Sequence, residues 1–236
     1  MINDYTQVVF HKTVVALELV LKDVIRRMLA LDLLDFSGEA IAKMIDDGIF
    51  ANLDDQFLIG KFRSALTSTT EDDLRTKILA ILNRRPPKLI ASSEIITESS
   101  ERSRGYHKTL KQQLGDKVSA AAEKFGINNS LWYLWDRSLG LSKIGSKVPP
   151  EVFLKGNFED DASQAVRVLR TDPNAVPSSS RPLIELDSAL MNQLSQCNLY
   201  VIRLYVHLPP EAETKDLRLQ IVQYFRDELP NFPFLP

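Results

Sequence analysis

Histidine and cysteine, which often hold catalytic metals, occur only three times and once in this chain of 236 residues. Three histidines, His11, His107 and His207, are followed by Lys, Lys and Leu, so the sequence contains no His-Asp dipeptide. No histidine lies three or four residues from another histidine or from Cys197, as the ligands of a zinc site often do. The sequence therefore predicts no catalytic residue and no metal ligand on this chain.

Two other patterns resemble ligand sites but have simpler explanations. Asp-Asp pairs occur at 46–47, 54–55, 72–73 and 160–161, beside predicted helix ends, where capping explains acidic residues better than metal binding does. The glycines and lysines of 140–147 approach a phosphate-binding loop. There, however, the lysine and the hydroxyl residue stand in the wrong order, and Pro149-Pro150 replaces the helix that should follow. No cofactor is predicted from either pattern.

Composition and charge are those of an ordinary globular protein. Apolar residues make up 44% of the chain and charged residues 25%, which argues against extensive disorder. The formal net charge of −2 indicates neither a nucleic-acid partner nor a membrane partner. The single cysteine, Cys197, suits a reducing compartment, and the longest apolar run, interrupted by Glu18, is too short to span a bilayer. We therefore expect a cytoplasmic protein.

Hydrophobic periodicity predicts that the first 90 residues are helical. From about residue 6 to 31, apolar side chains recur at spacings of three and four residues, as on the inward face of an amphipathic helix. The predicted inward residues are Phe10, Val14, Leu17, Leu21, Val24 and Met28. Capping residues and acidic clusters predict further helices over 37–45, 54–66 and 70–83, and Pro86-Pro87 ends this run.

The second half is predicted to form a smaller α+β lobe. Strands are predicted over 88–96, 165–169 and 199–207, and helices over 98–125 and 214–229. The aromatic cluster of Trp132, Tyr133 and Trp135 could be core or an interface anchor, and its secondary structure is left open. The predicted fold is thus mainly α with a smaller α+β C-terminal lobe. Its predicted domains are 1–90 and 91–236, with 100–180 lacking a functional assignment.

Three segments carry a resemblance to a known family. They are 8–23, which contains Phe10-His11-Lys12, then 54–58, and then 81–90, which contains Arg84 and Lys88. They resemble the C-terminal region of HD-domain phosphohydrolases of the deoxynucleoside triphosphate triphosphohydrolase type, just after the part that carries the metal site. The later stretches 182–190 and 200–206 are similar to the closing lobe of the same family. The resemblance implies a helical layer of an HD-type fold, followed by a small sheet with helices.

The resemblance also implies a binding site and partners. In one member of that family, a His-Lys pair after an aromatic residue and an Arg and Lys four residues apart help hold a regulatory nucleotide between subunits. Carried to this sequence, His11, Lys12, Arg84 and Lys88 are the expected nucleoside triphosphate ligands. A divalent metal is expected only in an HD-bearing catalytic core, supplied by another chain or by a missing N-terminal part. Alone, this chain is expected to be inactive, and a homo-oligomer is expected.

Three functional hypotheses follow in order of preference. The first is the nucleotide-sensing and oligomer-forming portion of an HD-type (deoxy)nucleoside triphosphate phosphohydrolase, whether a truncation or a natural split protein. The second is a helical protein-interaction module without nucleotide binding. The third is a nucleic-acid-binding protein that uses the basic residues of 102–117, ranked last because Glu98, Glu101 and Asp116 dilute that charge.

Overall fold

The computed structural model describes residues 11–140, 167–169, 180–182, 196–208 and 215–235. Helices dominate these residues, and strands are fewer, in agreement with the predicted mainly α class. The helices are α1 Lys12–Ala30, α2 Gly38–Asp46, α3 Asp55–Ser68, α4 Asp72–Leu82, α5 Glu101–Phe125 and α6 Lys215–Glu228. The strands are β1 Lys88–Glu98, β2 Trp132–Gly140, β3 Arg167–Leu169, β4 Ser180–Pro182 and β5 Cys197–Val206. The near-miss phosphate loop at 140–147 and the stretch 182–190 lie almost wholly outside the described residues.

Side-chain caps begin two of the helices where the sequence predicts them. The Ser37 hydroxyl accepts a hydrogen bond from the Ala40 amide at 3.2 Å and so starts α2. The Asp54 carboxylate accepts one from the Phe57 amide at 2.9 Å and starts α3. Each cap satisfies an amide that has no partner within the helix, which explains why these boundaries follow from the sequence.

The chain divides into two compact units. The first comprises Met1–Ile90, Val118–Tyr133 and Leu204–Phe225, and the second comprises Ala91–Lys117, Leu134–Arg203 and Arg226–Pro236. The first break between them falls after Ile90, at the predicted domain boundary. Later segments then alternate between the units, and the predicted two-domain organisation stays a prediction.

In the first unit, α1 packs against α4, and α4 packs against α3. The buried residues of α1 are Val15, Ala16, Val20, Val24 and Met28. Of the predicted inward residues, Val24 and Met28 are buried, but Val14 is 55% exposed. The side of α1 that packs into the core therefore carries the neighbouring row of apolar residues, which includes Val15 and Ala16. Because apolar residues surround this part of α1, their periodicity alone does not fix which row packs inward.

In the second unit, residues 197–203 of β5 belong to the central strand of the sheet β1-β5-β2. Arg203 of β5 donates to Glu94 of β1 at 2.8 Å, and its guanidinium lies 5.5 Å from the ring centre of Trp135 of β2. Residues 199–203 of β5 are all buried. Since successive side chains of a strand point to opposite faces, this burial means that both faces of β5 are covered. The strand predicted at 199–207 is thus confirmed.

Two further contacts in this unit join pairs of elements. Strands β3 and β4 pair antiparallel, with Arg167 opposite Pro182 and Leu169 opposite Ser180. On α5, Lys111 forms a 2.6 Å ion pair with Asp136 of β2.

Candidate functional site

Two ion pairs show that α1 and α4 run antiparallel. Near the end of α1, Arg27 donates to both carboxylate oxygens of Glu71, the residue that precedes α4, with Nε 2.7 Å from Oε2. This hydrogen bond lowers the pKa of Glu71. One turn earlier on α1, Asp23 accepts from Lys77 of α4 at 2.6 Å. From the first ion pair to the second, the residue number decreases along α1 and increases along α4. The start of α1 and the end of α4 therefore lie at the same end of the helix pair.

Helix length supports the same conclusion. Lys12 lies 15 residues before Arg27, about 22 Å along the axis of α1, and Leu82 lies 11 residues after Glu71, about 17 Å along α4. The residues expected to bind nucleotide lie at or next to these two helix ends. His11 and Lys12 begin α1, and Arg84 follows the end of α4. The fold therefore places three of the four predicted ligands at one end of this helix pair.

His11 and Lys12 are both exposed at the start of α1. His11 is the residue before the helix, and its Nδ1 atom accepts a hydrogen bond from the Thr13 amide at 3.4 Å. The first turn of α1 contains no acidic residue. The first turn of α1 thus combines the positive end of the helix dipole with a lysine and has no carboxylate of its own, an environment that favours an anion.

Arg84 has a backbone conformation that usually requires glycine. The Arg84 amide donates to the carbonyl of Ile81 at 3.1 Å and the Arg85 amide to that of Ala80 at 2.8 Å. These two bonds form a Schellman motif, whose residue after the helix cap is left-handed, and Arg84 has φ +52°. The same position after α2 and after α5 is occupied by Gly48, φ +70°, and Gly126, φ +64°.

Lys88, the fourth predicted ligand, is half-buried and begins β1. It is four positions after Arg84, so the two Cα atoms are at most about 14 Å apart. Pro86 and Pro87 lie between them, and each fixes its own φ angle. The connection from α4 to β1 is therefore short and stiff, which keeps Lys88 near the same end of the helix pair.

A second feature, a cleft of about 330 Å³, was not anticipated from the sequence. Its walls come from α1, α4, the turn before β2 and the beginning of β2. The lining residues are Leu19, Lys22, Asp23, Arg26, Lys77, Ser130, Trp132 and Tyr133. They come from three segments that are far apart in sequence, so no local motif could have indicated the cleft.

Tyr133 lines this cleft, but its hydroxyl is buried without a hydrogen-bond partner among the described residues. Burial raises the pKa of Tyr133 strongly, and the carboxylates of Asp23 and Asp73 raise it further. Asp73 accepts hydrogen bonds from Ser130 Oγ at 2.7 Å and from Asn128 Nδ2 at 2.9 Å, which holds the turn before β2 against α4. Trp132 and Tyr133 are 8% and 9% exposed, so these two aromatic residues pack in the core.

Comparisons with known proteins assign no family to the chain. No protein-family model matches it, and no curated protein resembles it significantly. Within the described ranges, no three His, Cys, Asp or Glu side chains are grouped as metal ligands. In those same ranges, no helix combines the length and the apolar character needed to cross a membrane.

Proposed function

We propose that this chain is the nucleotide-sensing and oligomer-forming C-terminal portion of a cytoplasmic HD-type (deoxy)nucleoside triphosphate phosphohydrolase. One observation carries the proposal: the antiparallel packing of α1 and α4 places His11 and Lys12 at the same end of the helix pair as Arg84. Lys88 lies within reach of that end. These are the residues that the family resemblance associates with a regulatory nucleotide.

The chemistry of these side chains suits a triphosphate. An arginine presents a fork of N–H donors that matches phosphate oxygens, and lysine supplies a compact positive charge. The start of α1 adds backbone amides and the positive end of the helix dipole. His11 can donate from a ring nitrogen to a phosphate or ribose oxygen. Together they can neutralise most of the charge of a bound triphosphate.

The strained backbone of Arg84 also supports this proposal. A left-handed conformation costs a side-chain-bearing residue roughly 1–2 kcal/mol. Glycine avoids that cost and occupies the equivalent position after α2 and α5. Unfavourable backbone conformations are concentrated at functional sites, where the side chain is needed in that place. We therefore interpret Arg84 as retained for its guanidinium rather than for the stability of the helix end.

Hydrolysis is assigned to another chain or to a preceding part of the protein. The metal site of an HD phosphohydrolase requires a His-Asp pair with a further His and Asp, and the residues of this chain do not fit it. His11, His107 and His207 are each followed by another residue type. We derive no hydrolytic step for this chain, whose proposed role is to bind the regulatory nucleotide and to join subunits.

The test is nucleotide binding by the purified protein, measured by isothermal titration calorimetry across nucleoside and deoxynucleoside triphosphates. Arg84→Gly is the variant of choice because it removes the guanidinium while relieving the left-handed strain. We expect at least tenfold weaker binding in a protein that is no less stable. Asp32→Gly is the matched control, since Asp32 has φ +55° after α1 and carries no cation. Its affinity should not change.

The proposal fails if no triphosphate binds to the wild-type protein, or if Arg84→Gly binds as tightly as wild type. A Lys12→Ala variant provides an independent check on the same site. Because Lys12 is exposed at the first position of α1, its removal should weaken binding without unfolding the helix.

An exposed apolar surface favours the second candidate, a protein-interaction module. Ile45, Ile49 and Phe50, at the end of α2 and the following turn, are 57%, 44% and 47% exposed. Neighbouring apolar side chains at this level of exposure are typical of interaction sites. Sedimentation of wild type and an Ile49→Asp variant tests this. A self-associating wild type and a dissociated variant, without triphosphate binding, would favour the module over the sensor.

Nucleic-acid binding remains the least favoured hypothesis. Lys111 is paired with Asp136, and Lys117 forms a 2.7 Å ion pair with Glu228, so carboxylates offset two cations of the basic segment.

A further inference from the structure

The cleft beside Lys77 holds more hydrogen-bond donors than acceptors. Lys77 is 8% exposed, and its ammonium carries three N–H donors, one of which Asp23 accepts at 2.6 Å. No other residue in the described part of the chain accepts a hydrogen bond from it. Buried polar groups in native proteins are normally paired. The remaining donors of Lys77 therefore have no acceptor among the described residues.

Arg26 adds a second cation to the cleft. It lies four residues after Lys22 and so on the same face of α1. Lys22 is engaged by Glu18 at 2.7 Å. Arg26, by contrast, makes no hydrogen bond or ion pair with any residue that the structure describes. Its guanidinium is therefore available to a ligand in the cleft, which Lys77 of α4 also lines.

Two aromatic side chains complete the wall. Trp132 has a buried indole N–H, and Tyr133 a buried hydroxyl, and neither has a hydrogen-bond partner among the described residues. An indole nitrogen can only donate, so Trp132 adds to the excess of donors. Asp23 is the only carboxylate among the lining residues, against three cations. A ligand that complements this lining brings negative charge and acceptor oxygens.

We propose that this cleft binds a small oxyanion, a phosphate or carboxylate group, between Lys77 and Arg26, with Trp132 and Tyr133 as its wall. The volume of about 330 Å³ is at the lower end of the roughly 300–1,000 Å³ usual for small-molecule sites. The ligand is accordingly compact, smaller than a nucleoside triphosphate. The site differs from the one at the start of α1 in its residues and does not rest on the proposed function.

Nuclear magnetic resonance of the indole N–H groups provides a direct test. The chain has two tryptophans, Trp132 and Trp135, so their two signals can be assigned with a Trp135→Phe variant or through their backbone resonances. The protein is titrated with inorganic phosphate, with acetate and with chloride at equal ionic strength. We expect a saturable shift of the Trp132 signal with phosphate or acetate, and none with chloride. Saturation by phosphate alone identifies a phosphate site, and saturation by acetate alone a carboxylate site.

Variants then locate the bound anion. Arg26→Ala removes an exposed cation, so the fold should survive, and it should weaken the saturable binding about tenfold or more. Lys43→Ala, which removes an exposed cation of α2, should leave the affinity unchanged, as should Arg84→Gly. The proposal is overturned if neither anion gives a saturable shift. It is also overturned if Arg84→Gly abolishes the shift and Arg26→Ala does not, because the anion would then bind at the end of the helix pair.

Discussion

Asp23 and Lys77 form a 2.6 Å ion pair in which the lysine side chain is 10% exposed and the aspartate 41%. The pair joins α1 to α4, and it also contributes one residue of each sign to the lining of the cleft. The aspartate side chain therefore keeps more contact with water, while the lysine side chain is almost wholly buried. This asymmetry determines what each partner contributes to stability.

Asp23→Asn should lower the free energy of unfolding by about 1–3 kcal/mol, because it leaves the buried ammonium of Lys77 without its charged partner. Lys77→Met removes the charge and keeps most of the aliphatic volume, so it should cost less than about 1 kcal/mol. Urea denaturation measures both. Glu18→Gln, which breaks the exposed pair with Lys22, is the control and should change stability by less than about 0.5 kcal/mol. Equal losses in Asp23→Asn and Lys77→Met would contradict this explanation.

Arg84→Gly should raise the free energy of unfolding by about 0.5–1 kcal/mol, since glycine adopts φ +52° without strain and this gain exceeds its larger chain entropy. Asp32→Gly should have a smaller effect, because aspartate tolerates the left-handed region better than arginine.

Conversely, Gly48→Ala should destabilise the protein by about 1 kcal/mol. Apart from the two neighbouring residues, no described residue has an atom within 4 Å of the added methyl group, so backbone strain accounts for the cost. Thermal denaturation compares the three variants, and a destabilised Arg84→Gly would show that the arginine side chain stabilises the helix end.

Tyr133→Phe should change how stability depends on pH in alkaline solution. The pKa of Tyr133 is raised in the folded protein, so the folded state keeps the phenolic proton at pH values where the unfolded chain, with a pKa of about 10, has lost it. Above pH 10 this tyrosine therefore lowers stability by about 1.4 kcal/mol per pH unit. Below pH 10 its contribution is constant.

The measurement is denaturant unfolding at several pH values on both sides of 10. The difference between wild type and Tyr133→Phe isolates this group from the other tyrosines. Tyr106→Phe is the matched control, because Tyr106 is 51% exposed and its removal should not alter the slope in this way. Parallel pH profiles for wild type and Tyr133→Phe would show that the phenol titrates normally.

Asp54→Ala should destabilise the protein by about 1 kcal/mol, because the Phe57 amide loses its only side-chain cap. Asp55→Ala, one residue later, removes only a charge near the helix dipole and should cost a few tenths of a kcal/mol. Circular dichroism during urea unfolding compares the two. Similar losses would indicate that charge, rather than the hydrogen bond, starts α3.

The helices of the first 90 residues could be predicted because their signals are local. Ser37 and Asp54 cap α2 and α3 through hydrogen bonds that span three residues, and Pro86 excludes a continued helix after α4. Strand β5 could also be predicted, from its β-branched and aromatic residues. The buried row of α1 could not be predicted, because apolar residues surround the helix near Val14 and only the neighbouring elements decide which row is buried.

The sequence by itself determined which segments form helices and which side chains could hold a phosphate, since those depend on nearest neighbours and on residue type. Only the tertiary structure decided what these segments bring together. The antiparallel packing of α1 on α4 places Lys12 and Arg84 at one end. The contacts of Asp73 with the turn before β2 bring Lys77 and Trp132 into one cleft. Contacts between residues 50 or more positions apart are determined by packing and charge pairing in three dimensions, and no short sequence pattern encodes them.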